Sequence, residues 1–142
     1  MASMSIEGFD HVAIPIGNVE KMFTFYRKLG FSVEEHDLDG LPFYSVHFGQ
    51  HRFNFHHPEM WQSDQFDLRA PKSQPGCGDF CFIWSDTLQK LQKFLSDLNI
   101  PVELGPVTRT GGRAAGTVPG QSVYIRDPDS NLLEFIVYPD KS

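Results

Sequence analysis

Four residues of this chain have the right chemistry to hold a metal ion: His11, His56, Asp79 and Glu134. Imidazole nitrogen and carboxylate oxygen are borderline-to-hard donors that together suit Zn, Ni, Co, Mn or Fe. Each of the four lies in or beside a run with strand character, and in a strand alternate residues face alternate sides. Phe9, His11 and Ala13 would share one face, as would Arg52, Asn54 and His56. So would Asp79, Cys81 and Ile83, and again Leu132, Glu134, Ile136 and Tyr138. Polar groups among apolar neighbours need partners, and a metal is one way to supply them. Each residue also has a plainer reading. His11 could be a core histidine bonded to a backbone carbonyl. Glu134 could belong to a buried ion pair. Asp79 could end a turn after Gly78, and His56, beside His57 and Pro58, could be a solvated strand end. Glu134 stands in the middle of NLLEFIVY, where a carboxylate is costly without a task. Arg109, Tyr124 and Arg126 are secondary candidates for binding substrate. Arg109, in a Gly-bounded loop, could clamp an anionic group or be a solvated loop cation.

The elements that must position these residues repeat. FDHVAIPI (9–16) reads as a strand, Asn18 as a helix cap, and 19–29 as an amphipathic helix with Val19, Met22, Phe23, Tyr26 and Leu29 on one stripe. Gly30 stops it. Strands follow at 31–38, 41–48 and 51–57, punctuated by Asp39-Gly40 and Gly49-Gln50. Residues 58–76 lack a period and carry Pro58, Pro71 and Pro75, so they read as a connector. The order then recurs: a strand at 78–84, Asp86 as cap with Gln89 three residues on, and a helix striped by Leu88, Leu91, Phe94, Leu95 and Leu98. Strands at 101–104, 122–127 and 131–139 complete it, with 106–120 read as a long loop. His11 and Asp79 are 68 residues apart, as are Asn18 and Asp86. Spacing kept in both halves is a stronger signal than either half alone. It puts polar residues at equivalent strand positions of two βαβββ modules, 8–57 and 78–139. Phe53, Phe55, Phe80, Phe82 and Phe135 fall on the opposite faces and read as core against the helices.

Composition narrows the function. The 142 residues suit one domain, and 40% hydrophobic residues with thirteen Phe can fill an aromatic core. A net charge of −6 without any basic run argues against nucleic acid. No apolar run approaches the ~20 residues of a membrane helix, and the start has no basic region followed by an apolar one. Cys77 and Cys81 would stand about 13 Å apart in extended chain, too far to bridge. Two reduced thiols fit a cytoplasmic protein.

FDHVAI followed by FYRKLGF, with VYIRDPDSNLLEF near the end, resembles the vicinal oxygen chelate superfamily (glyoxalase, bleomycin resistance protein, dioxygenase) over residues 8–138. FGQHRFNFHH, ELGPVTRTG and SVYIRDPDSNLLE resemble more narrowly its glyoxalase domain-containing protein five group. The resemblance implies an α+β fold, two βαβββ modules forming a half-open curled sheet, with a divalent metal held by the first and last strands of each module. It assigns ligand positions to His11, Asp79 and Glu134. On the fourth strand the position falls on Asn54, with His56 two residues on. It implies a lyase or isomerase that chelates two neighbouring oxygens of a small molecule, with Glu134 as ligand, base or both. Glutathione or another thiol would be a possible co-substrate and a homodimer the assembly. The same family also contains Fe(II) ring-cleaving dioxygenases and drug-binding proteins without catalysis, and both stay open as alternatives.

Overall fold

The computed structural model describes residues 4–141, which divide after Cys77 into two compact units. In the first unit, strand β1 (Val12–Pro15), helix α1 (Val19–Lys28) and strands β2 (Ser32–Leu38), β3 (Leu41–Phe48) and β4 (His51–His56) follow in order, with a one-turn helix α2 (Pro58–Trp61) after them. The sheet order is β1-β4-β3-β2. β1 runs parallel to β4, because α1 carries the chain back across the sheet, and the other pairs are antiparallel. The second unit repeats the plan with β5 (Asp79–Ile83), α3 (Leu88–Asp97), β6 (Leu104–Thr110), β7 (Pro119–Arg126) and β8 (Leu132–Val137), ordered β5-β8-β7-β6.

Each sheet buries one face against its helix. Met22, Phe23 and Tyr26 of α1 are buried, and they meet Tyr44, Val46, Phe53 and Phe55, the inward-alternating residues of β3 and β4. Tyr26 packs edge-on against Phe31 and Phe55 at 5.3 and 5.2 Å, and Phe23 against Tyr44 at 4.4 Å. Leu91 and Leu95 of α3 are fully buried, as are Ile125 and Leu133. Each such side chain contributes about 1.5–3 kcal/mol. α1 ends where Gly30, at φ +99°, lets Phe31 N–H reach back to the Tyr26 carbonyl at 3.0 Å.

Several local readings from sequence are corrected here. The first strand is shorter than 9–16, so His11 immediately precedes it and Phe9 is 93% exposed. The side chain of Asn18 makes no cap bond to α1. The cap of α3 is Thr87, whose hydroxyl accepts from Lys90 N–H. Asp86 instead accepts from Thr87 N–H at 2.8 Å. Pro58 starts α2 where it had been expected to break structure, because a first-turn residue needs no N–H donor. The largest correction is β6, which runs through a stretch read as loop. Val107 pairs with Ser122 and Arg109 with Gly120, beyond a register shift after Leu104. Gly105-Pro106 hides the strand pattern, yet a proline is tolerated at an edge strand with a bulge.

Gly105 sits at φ +124°, and a Cβ there would stand 2.5 Å from the Ser122 carbonyl oxygen and 2.9 Å from Val123 Cα. Backbone cannot step aside as a side chain can. Gly105→Ala is therefore expected to destabilise the second unit by about 2–4 kcal/mol, seen as a lower urea midpoint with little change in slope.

Candidate functional site

The first unit leaves a polar face opposite its helix. Register defines its rows: Ala13, Asn54, Ser45 and Glu34 across one, and Pro15, His56, Phe43 and His36 across the next. On the other side of the Ala13 row, His47 lies between Ser32 and Arg52. His11, one residue before β1, continues toward this last row. Its Nδ1 is bonded to Asp10 Oδ1 at 2.6 Å. That bond, and then the charge of the imidazole, holds the Asp10 carboxyl below its ordinary value. A carboxylate on one ring nitrogen orients the other toward an outside partner, as in carboxylate–histidine–metal arrangements. His56 is half-buried, and the edge of its ring meets Phe66 at 5.2 Å. Burial, then the positive fields of Arg69 and His11, push its pKa down. Its imidazole is thus held neutral, the form that ligates metals or accepts a proton. Asn54 is only 9% exposed, and its Oδ1 is buried without a hydrogen-bond partner. A buried acceptor in that state calls for a donor or a cation.

In the second unit Glu134 faces away from α3, between Cys81 on β5 and Tyr124 on β7. Its Oε2 accepts a 2.5 Å hydrogen bond from Ser122 Oγ, and Ser122 is fully buried. The carboxylate is thus held by a short bond from a side chain that cannot move. The Cys81 thiol, on a residue that is itself exposed, is pushed up to about 12, first by desolvation, then by the charge of Glu134 and a hydrogen bond to it. At pH 8 only about one thiol in 10⁴ would be ionised at that value, and the thiolate is the nucleophile. Cys81 is accordingly expected to resist iodoacetamide at pH 8. Glu134→Gln should raise its labelling rate by about tenfold or more, read by mass spectrometry of the peptide.

The secondary candidates also lie in this unit. Arg109 Nε donates to Tyr124 Oη at 3.0 Å and Nη1 to the Thr108 carbonyl at 3.0 Å, which fixes the guanidinium over the tyrosine ring. Its outer edge could meet an anionic group. Arg126 is differently engaged. Its Nε and Nη2 reach the Glu103 carboxylate at 3.1–3.2 Å and Nη1 the Ser130 carbonyl at 3.1 Å, and the bond to Glu103 raises its already high pKa. Asp79 begins β5 opposite Leu132 and is exposed.

The expected ligands therefore come as two subsets, His11 with His56 in the first unit and Asp79 with Glu134 in the second. Among the described residues no group of three or more His, Cys, Asp and Glu side chains is set to hold a metal ion. Sequence reasoning missed Asp10 as the partner of His11, although the adjacent Asp-His pair was a visible signal. It also missed Ser122, whose role depends on the β7–β8 register and left no local mark.

Comparison with known proteins agrees with this architecture. The sequence model of the Glyoxalase/Bleomycin resistance protein/Dioxygenase superfamily matches residues 8–135. The chain is 36% identical over 137 residues to the glyoxalase domain-containing protein RDO1 of Mycosarcoma maydis, covering 96% of this chain and 72% of that one. It is 33% identical to virulence protein STM3117 of Salmonella typhimurium, covering 95% and 87%. The crystal structure of that protein superposes with a TM-score of 0.79 over 95% of this chain and 99% of the other. An integron cassette protein from V. cholerae superposes equally well, with a TM-score of 0.79, 30% identity and coverage of 96% and 99%. Two four-stranded mixed sheets of repeated βαβββ order, joined to these likenesses, identify the chain as a member of the Glyoxalase/Bleomycin resistance protein/Dioxygenase superfamily.

Proposed function

We propose that this protein is a divalent-metal-dependent lyase or isomerase of glyoxalase type, acting on a small molecule with two neighbouring oxygens. The observation that carries the reading is Glu134: a carboxylate in mid-strand, held through Oε2 by a buried serine and set among the polar residues of its sheet. Evolution of a purely structural strand would have little reason to keep a carboxylate there. The donor chemistry of the chain fits a borderline divalent ion. His11 is oriented by Asp10, His56 is held neutral, and Asn54 offers a buried acceptor without a donor. His11, His56, Asp79 and Glu134 are the side chains proposed as metal ligands, and the metal would supply Lewis acidity to the two substrate oxygens.

The rest of the chemistry belongs to the side chains. Glu134 takes a proton from the substrate carbon and returns it to a neighbouring one, working as a general base and then as an acid. Ser122 keeps its Oε2 in place, which limits the carboxylate to one productive orientation. Arg109, steadied by Tyr124, receives an anionic part of the substrate or of a thiol co-substrate such as glutathione. Arg126 serves that end of the sheet through its pair with Glu103. Sheet edges at β1, β2, β5 and β6 favour assembly as a homodimer, and the two free cysteines suit the cytoplasm. No helix among the described residues is long and apolar enough to cross a membrane.

A second reading has one observation in its favour. His11, His56 and Glu134 are of the residue types, two histidines and one carboxylate, that Fe(II) oxygenases use. One experiment separates the readings. Protein purified without an affinity tag is analysed for metal, then assayed against the methylglyoxal–glutathione adduct and, separately, for oxygen uptake with catechols. Metal content with turnover of the adduct supports the lyase, and oxygen uptake supports the dioxygenase. Protein without metal, whose metal titration is unchanged by His11→Ala, ends both and leaves a binding protein.

A further inference from the structure

Residues 58–76 read from sequence as a connector without regular structure, yet they carry a cation to the first unit's polar face. Trp61 Nε1 donates to the Ile16 carbonyl at 2.9 Å, and Ile16 N–H donates to the His56 carbonyl at 3.1 Å, so α2 is seated where β1 and β4 end. Arg69 lies over the Trp61 ring, its guanidinium carbon 5.3 Å from the centroid. Its Nη2 donates to the Ser73 carbonyl and, at 2.9 Å, to Ser73 Oγ, and that hydroxyl donates on to the Ala70 carbonyl at 2.7 Å. Phe66, three residues earlier, meets the His56 ring at 5.2 Å. The guanidinium is thus fixed close enough to His56 for the imidazole to feel its charge.

What Arg69 lacks is an anion. Arg52, on the same face of β4 as Asn54 and His56, lacks one too. Among the described residues no carboxylate stands within ion-pair distance of either, whereas Arg113 and Arg126 are paired with Asp140 and Glu103. The Nε of Arg52 and that of Arg69 are buried without an acceptor. Ser73 occupies Nη2 of Arg69, and no described residue bonds to Nη1. A chain of net charge −6 has carboxylates to spare, yet none is set against these two half-buried cations. A partly desolvated charge is costly unless it is paired. Arginine is also the side chain best shaped to take a carboxylate, through two parallel N–H bonds.

We propose that the substrate of this site is itself a small carboxylic acid, whose anionic group is received by Arg69 while Arg52 adds positive charge along β4. The inference rests on the proposed function for the two chelating oxygens, and on the unpaired arginines for the anion. A carboxylate anchored at one end limits how the rest of a small molecule can lie, which is the advantage orientation gives to catalysis. Arg109, in the second unit, is then left for the thiol co-substrate.

The test is titration of chelator-stripped full-length protein with malonate at low salt, followed by NMR through the arginine Nε–H resonances of the wild type. Malonamide, of the same skeleton and without charge, is the control. Malonate should move the Arg69 and Arg52 resonances in a saturable way, and malonamide should move neither. Arg69→Gln should weaken malonate by about tenfold or more, the loss of a hydrogen bond to a charged group. Arg69→Lys should recover part of that, since it keeps the charge without the fork, and Arg109→Gln should bind as wild type does. An Arg69 that only pins Ser73 and Trp61 gives a lower melting point in Arg69→Gln with malonate binding unchanged, and that result overturns the proposal. So does malonate that moves Arg109 alone, or malonamide that binds as well as malonate. The assay needs neither metal nor turnover. Protein that binds malonate through Arg69 but holds no metal and turns nothing over would end the lyase reading and leave the anion site standing. An active metalloenzyme whose Arg69 resonance ignores malonate would do the opposite.

Discussion

Glu134→Gln is expected to lower kcat/KM for the methylglyoxal–glutathione adduct by about 10²–10⁴-fold, the range for loss of a general acid–base. The substitution keeps the shape of the side chain. Ser122 Oγ can still donate to the amide oxygen as it now donates to Oε2 at 2.5 Å, so the strand should remain in register. What disappears is the negative charge and the capacity to carry a proton. The metal held with Glu134 should weaken as well, since an amide oxygen is a poorer ligand than a carboxylate. Ser122→Ala is the companion measurement. It leaves the charge but frees the carboxylate, so its effect should be smaller, about tenfold, and Ser122→Thr should recover much of it. If the Gln variant turns over the adduct at the wild-type rate, Glu134 is a structural carboxylate and the lyase mechanism fails.

The largest effect on stability should come from Asn131→Ala, which is expected to cost about 3–5 kcal/mol and to lower the melting point by roughly 10–15 °C. Asn131 is fully buried in the turn between β7 and β8. Its Oδ1 accepts from Gly78 N–H at 2.7 Å and its Nδ2 donates to Asp127 Oδ2 at 2.8 Å. Asp127, itself 5% exposed, also accepts the backbone N–H of Asn131 and of Asp129 at 2.9 and 3.0 Å. One amide therefore ties the β7–β8 turn to the chain entering β5, and removing it leaves Gly78 N–H without that acceptor in a partly buried place. Bonds to a charged group are worth more than neutral ones, and an orphaned buried donor adds its own penalty. Asn131→Asp would keep the acceptor for Gly78 and still fail, because it sets a second carboxylate against Asp127. Thermal unfolding followed by circular dichroism decides the matter, and an Ala variant that melts within 3 °C of wild type, about 1 kcal/mol on this scale, would refute it.

These two residues lie three positions apart in one motif, DPDSNLLE, and they show what could be read in advance. The alternation Leu132, Glu134, Ile136 announced a strand with a carboxylate on its polar side, and the register of β8 against β5 and β7 bears that alternation out. The helical stripes of α1 and α3 were equally legible, because period 3.6 and period 2 leave different marks in a sequence. The 68-residue spacing carried the repetition of strand, helix and three strands. Where the reading failed, a local rule was overridden. Thr87 displaced Asp86 as a cap because its hydroxyl accepts from Lys90 N–H while the Asp86 carboxylate is taken by Thr87 N–H, a choice between adjacent residues that spacing does not make. β6 escaped because an edge strand needs alternation only where it pairs, and Gly105-Pro106 broke the pattern at its start.

The sequence by itself determined the type and order of the elements other than β6 and α2, the buried faces, and which strand donors point away from the helices. Tertiary structure alone decided which of those donors have partners. Ser122 meets Glu134, and His36 meets His47 across Ser45, only because consecutive strands pair in one register and no other. A one-residue slip would turn each of these side chains to the opposite face. Register is fixed by packing summed over a whole sheet, and it is therefore invisible in any short stretch of residues.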